Sequence, residues 1–87
     1  MEAGAQRRSE IDTVIIDALT AVAPDVDPAA LDPAQPFRDQ IEIDSVDFLN
    51  FVLGIERRLG LRVPELDYPQ FSTLDGCRAY LARAVGG

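Results

Sequence analysis

Four prolines, Pro24, Pro28, Pro33 and Pro36, fall between Ala23 and Asp39. Each removes a backbone donor and fixes φ, so no continuous helix or strand crosses this stretch. Pro64 and Pro69 interrupt the chain a second time. Regular structure must therefore be built in the three segments that remain. In each of them apolar residues recur at helical spacing, and strand alternation is absent.

The first segment places Ile11, Val14, Ile15, Ala18, Leu19 and Val22 at i, i+3, i+4, i+7, i+8 and i+11, one apolar stripe along a helix. Ser9 with Asp12 three residues on resembles a capping box, so the helix is expected to start at Ser9. Residues 1–8 show no periodicity and are expected to form a flexible N-terminal tail, leaving 9–85 as one domain. The second helix is expected from Asp44, whose side chain can cap the first turn. Val46, Leu49, Val52, Leu53, Ile55 and Leu59 carry its spacing, and Phe48 and Phe51 widen the apolar face. Gly54 costs up to about 1 kcal/mol inside a helix and reads as a close helix crossing. Gly60 reads as the stop. The last helix is expected over 73–85, capped by Ser72 with Asp75, with Leu74, Cys77, Leu81, Ala84 and Val85 on one face.

The connections hold weaker signals. Asp27-Pro28 fits a capped helical turn anchored by Leu31. Phe37 is expected to pin the proline-rich loop to the core, and Tyr68 to Phe71 to form one short helical turn. The fold class is all-α: a small bundle of three principal helices plus a short fourth, with a long first loop.

At 87 residues the chain holds one domain with a modest core. No run of about 18 apolar residues is present, so no membrane span is expected. Residues 1–8 lack the apolar region of a signal peptide, and a cytoplasmic location is the default. Cys77 is the single cysteine and most simply a small buried hydrophobe. Without histidine, a histidine-containing zinc site or a histidine-based triad is excluded, and no metal site is expected. The net charge of −7 is concentrated: Asp25, Asp27, Asp32, Asp39, Glu42, Asp44 and Asp47 are opposed only by Arg38. Such a stretch repels phosphate backbones, so nucleic acid is not an expected partner. It attracts proteins with basic surfaces, besides keeping the domain soluble.

Ser45 stands where the acidic loop becomes the second helix. The first turn of a helix has free N–H groups and a positive dipole, so a phosphate esterified to Ser45 is favoured there. Asp44 works partly against this. No base lies near Ser45 in sequence, which makes it a poor nucleophile for catalysis by the chain itself. A modification of Ser45 would be the work of another enzyme.

With these residues in view, the chain resembles the acyl carrier proteins of the phosphopantetheine-binding superfamily. Asp44-Ser45-Val46-Asp47 matches the Asp-Ser-aliphatic attachment motif. Leu31-Asp32-Pro33, Leu59-Gly60-Leu61-Arg62-Val63-Pro64 and Thr73-Leu74-Asp75 follow in the family's order, across roughly residues 9–85. The resemblance implies that Ser45 receives 4′-phosphopantetheine from coenzyme A through a magnesium-dependent phosphopantetheinyl transferase. The arm would carry an acyl, aminoacyl or polyketide intermediate as a thioester to activating ligases, synthases or transferases. The carrier itself would have no catalytic residues, and a monomer is expected. The alternative is an unmodified helical interaction module of the same fold.

The departures concern docking. Glu42 and Ile43 stand where the family commonly has Gly and a small or apolar residue. The second helix presents Asn50, Leu53, Glu56 and Arg57, with Arg58 beside them, where the housekeeping fatty acid carriers are richly acidic. Asp44, Val46, Asp47, Asn50, Leu53, Glu56 and Arg57 are therefore the candidate partner contacts of a specialised carrier. Val46 is expected to be partly exposed. Phe48, Leu49 and Phe51 are expected in the core or as walls of an acyl pocket.

Overall fold

The computed structural model describes the backbone of residues 2–86 and the side chains of residues 10–85. The element order is α1 (Glu2–Val22), a 3₁₀ turn (Pro28–Ala30), α2 (Phe37–Gln40), α3 (Ser45–Leu59), a 3₁₀ segment (Glu65–Phe71) and α4 (Leu74–Gly86). This is the all-α bundle expected, with the 3₁₀ segment as the short extra helix.

The apolar stripe of α1 becomes the centre of the molecule. Ile11, Val14, Ile15, Ala18 and Leu19 are buried, and α1 packs against both α3 and α4. α3 contributes Phe51, Val52 and Ile55 to the same core, and α4 contributes Leu74, Cys77 and Leu81. Phe37, Val63 and Phe71 close it from the connections. Each fully buried side chain of this kind stabilises the fold by roughly 1.5–3 kcal/mol. Ion pairs add little: Arg58 to Asp17 (3.2 Å) and Arg78 to Asp12 (2.8 Å) tie α3 and α4 to α1, but all four side chains are about half exposed.

The first helix begins earlier than its expected cap. Residues 2–8 are helical, so Ser9 lies inside α1 and not at its start. Glu, Ala, Gln and Arg before Ser9 are good helix formers, and no proline stops the helix from extending backwards. Asp12, the other half of the expected box, faces Arg78 of α4.

The long loop is fastened at several points. Asp27 caps the turn at Pro28, accepting from the Ala29 N–H (3.1 Å), and Leu31 packs half-buried on the core. Phe37 is almost fully buried, and its ring meets Phe51 edge-on at 5.5 Å. The Phe37 N–H donates to the Ser72 carbonyl (2.8 Å), and the Asp75 N–H donates to the Pro33 carbonyl (3.0 Å). Gln40 staples the loop from within: its Oε1 accepts from the Asp32 N–H (2.7 Å), and its Nε2 donates to the carbonyls of Asp32 (2.9 Å) and Gln35 (3.1 Å). α2 is only four residues long, too short for periodicity to reveal.

Two expected helix ends differ in outcome. Gly60 adopts φ = 64° and stops α3, as its position suggests. At α4 the capping hydroxyl belongs to Thr73, which accepts from the Gly76 N–H (2.9 Å), and not to Ser72. The two hydroxyls are adjacent in sequence, and the Ser72 carbonyl is already held by Phe37. Ala84, expected on the inner face, is exposed.

The glycines of α3 and α4 separate by space. A Cβ at Gly54 would lie 3.6 Å from the Ala18 Cβ, an ordinary contact, so the α1–α3 crossing is close without demanding glycine. A Cβ at Gly76 would collide with the carbonyl oxygen of Gln70, which belongs to backbone. Gly54→Ala is expected to leave the melting temperature unchanged or raise it, by up to about 1 kcal/mol of stability. Gly76→Ala is expected to cost about 1–3 kcal/mol, measured by urea denaturation of both variants.

Burial pushes the Cys77 thiol up to about 12, against a smaller opposing effect from its backbone hydrogen bond. The unfolded chain ionises first, so this group's contribution to stability is complete below the ordinary thiol pKa of 9.0. It is lost as the pH rises through that value towards the folded one. At pH 8, a thiol reagent is expected to label Cys77 at the rate of global opening; labelling as fast as a free thiol would contradict its burial.

Candidate functional site

Asp44 sits in extended conformation as the N-cap of α3. Its Oδ1 accepts from the Asp47 N–H (2.8 Å), and Asp47 Oδ2 accepts from the Asp44 N–H (3.2 Å). This is a reciprocal capping box with aspartate in place of the usual glutamate. It fixes the first turn and makes Ser45 the first helical residue. Ser45 is exposed. Among the described residues, the N–H groups of Ser45 and Val46 have no intramolecular acceptor. The positive end of the helix is therefore open beside the hydroxyl.

The charged side chain that touches Ser45 is Arg38 of α2, whose Nη2 donates to the serine Oγ in a long contact of 3.4 Å. A guanidinium cannot accept a proton. Among the described residues, the side chain hydrogen-bonded to Ser45 Oγ is thus a cation and not a general base. An ester at Oγ would project into solvent, and a phosphate there would meet free N–H groups and one arginine. The residues present fit a phosphoester.

Arg38 also lines a half-open apolar pocket of about 310 Å³. Phe37, Ile43, Phe48 and Tyr68 supply its walls, and Arg38 stands on its rim. Phe48 is only partly buried, and its ring meets Tyr68 edge-on at 6.5 Å. Phe51, by contrast, is core.

The candidate contact residues occupy α3 unevenly. Val46, Asn50, Leu53 and Arg57 fall at i, i+4, i+7 and i+11 and are all exposed. Val46 is the most open of its apolar residues at 64%. Asp44 and Asp47 are engaged in the capping box. Glu56 is half-buried and accepts the Val63 N–H (3.1 Å), which secures the chain after α3. Arg58 leaves this face for Asp17.

Leu49 corrects the expectation of a core or pocket position: it is 41% exposed and flanks Val46 and Leu53. Its spacing fits the apolar stripe, but α3 has more apolar residues than α1 and α4 can cover. Leu66, in the 3₁₀ segment, is 92% exposed, and the reading of the sequence missed it. Its acidic neighbours, Glu65 and Asp67, were the available signal. Arg38 was noted only as the lone cation of its stretch; its seven-residue separation from Ser45 follows no helical rule.

Comparisons with known proteins agree with this geometry. The family described as "Phosphopantetheine attachment site" matches residues 14–81. An acyl carrier protein of Renibacterium salmoninarum is 27% identical over 70 residues, covering 80% of this chain and 82% of the relative. One from Acidothermus cellulolyticus is 25% identical over 78 residues, covering 90% and 92%. One from Kineococcus radiotolerans is 30% identical over 50 residues, covering 58% and 62%. No solved structure matches at comparable significance. With the match running from the middle of α1 to the core residues of α4, the chain belongs to the phosphopantetheine attachment-site family, whose prosthetic group is covalently held 4′-phosphopantetheine.

Proposed function

We propose that the chain is an acyl carrier protein whose 4′-phosphopantetheine is esterified to Ser45. The observation that carries the assignment is the exposed hydroxyl at the first position of α3, beside open N–H groups. The other two serines are less suited. Ser9 lies within α1, and Ser72, though exposed, is the C-cap of the 3₁₀ segment and not the first residue of a helix. Attachment forms the Oγ–phosphorus bond and breaks the pyrophosphate bond of coenzyme A, with the nucleoside bisphosphate leaving. A phosphopantetheinyl transferase supplies the base and the magnesium. The domain so used is 9–85, and the protein acts as a cytoplasmic monomer.

When bound, the group supplies a thiol that holds cargo as a thioester. The chain's own residues do the rest. The capping box fixes the attachment point, and α3 offers Val46, Leu49 and Leu53 as an apolar docking strip, with Arg57 further along. Activating ligases, synthases and transferases that work on the cargo are the partners. The pocket walled by Ile43, Phe48 and Tyr68 favours an apolar acyl chain over a polar aminoacyl group.

Incubation with coenzyme A, magnesium and a broad-specificity transferase is expected to add one phosphopantetheine to the wild type and none to Ser45→Ala, read by intact mass. No gain in the wild type under conditions that load another carrier would favour the unmodified interaction module.

A further inference from the structure

The lone cation of the acidic loop is placed on the one hydroxyl that the carrier reading modifies. Arg38 shares residues 25–47 with seven carboxylates, yet among the described residues none lies within ion-pair distance of it. Its hydrogen bond goes to Ser45 Oγ instead. The nearby acids Asp44 and Asp47 are occupied by each other's backbone N–H groups. The backbone under Arg38 is fixed on both sides, by the buried ring of Phe37 and by the three hydrogen bonds of Gln40. Arg38 also forms part of the rim of the apolar pocket.

We propose that Arg38 is a positioning residue for the prosthetic group: its guanidinium pairs with the phosphodiester on Ser45 and turns the arm towards the pocket lined by Ile43, Phe48 and Tyr68. This inference rests on the carrier reading. Esterification would leave Oγ as the bridging oxygen, with the charged non-bridging oxygens two bonds away through phosphorus. A guanidinium in contact with Oγ is then in range of them, in the pairing that arginine makes best. The phosphate adds negative charge next to Asp44 and Asp47, and Arg38 is the group that offsets it. Loading therefore strengthens a contact that is long and weak in the unmodified protein.

The test is a cycle of four proteins: wild type and Arg38→Gln, each unmodified and loaded to completion by mass, with Arg38→Lys as the conservative variant. Thermal unfolding and the ³¹P resonance of the diester are the readouts. Loading is expected to raise the wild-type melting temperature relative to its effect on Arg38→Gln by about 2–6 °C. Arg38→Lys should recover part of the difference. The wild-type resonance should move towards that of Arg38→Gln in about 1 M NaCl, where surface charges are screened within ~3 Å. Equal loading shifts and equal resonances in wild type and Arg38→Gln would overturn the pairing while leaving the carrier role intact. A folded Arg38→Gln that cannot be loaded would overturn it too, by assigning Arg38 to transferase docking. Failure of the wild type to load would overturn the carrier reading itself, and the pairing with it.

Discussion

The burial of Phe37 holds the functional half of this molecule together. Its ring fills the core against Phe51 of α3, while its N–H reaches the Ser72 carbonyl at the entrance to α4. One residue therefore joins the proline-rich loop to two helices by different forces, apolar burial and a backbone hydrogen bond. Without it the loop would retain the turn at Pro28 and the Gln40 staple but lose its fixed place on the bundle. Arg38 follows directly, and its relation to Ser45 depends on that anchorage. Removing the ring would cost roughly 3–5 kcal/mol, a large share of the stability of so small a domain.

Ser45 depends on a second, local constraint. The Asp44–Asp47 box uses two carboxylates to satisfy two N–H groups at the start of α3. It leaves the N–H groups of Ser45 and Val46 open, so the dipole of a fifteen-residue helix ends at an exposed hydroxyl. The same two acids make the surroundings negative. A phosphodiester on Ser45, as proposed, would place another negative charge there, opposed by the helix end and by Arg38. Exposure, the open helix end and the Arg38 contact occur together at Ser45; none of them alone would mark out a surface serine.

Much of this was legible because it is local. The α1 stripe, the Asp44 cap, the Gly60 stop and the anchor role of Phe37 each follow from spacing or from one residue's conformational preference. The readings that failed depend on distance or competition. The start of α1 was misplaced because a good capping pattern at Ser9 cannot stop a helix whose preceding residues also favour it. The cap of α4 fell to Thr73 because the neighbouring serine lies in the segment that receives the loop. Leu49 was misjudged because periodicity counts apolar residues but not the surface available to cover them. The collision awaiting a side chain at Gly76, the Gln40 staple and the Arg38–Ser45 contact join parts of the chain that no local pattern relates.

The pocket and the exposed strip divide the remaining functional question. Phe48 and Tyr68 wall an apolar pocket, whereas Val46, Leu49 and Leu53 are exposed on α3. In the proposed carrier role, cargo and partner would meet different faces of α3. Both depend on where the arm is tethered. Peptide mapping by tandem mass spectrometry of the protein co-expressed with a transferase tests that most directly. The phosphopantetheine is predicted on the peptide containing Ser45 and at that residue alone; its appearance on Ser9 or Ser72 would contradict the account.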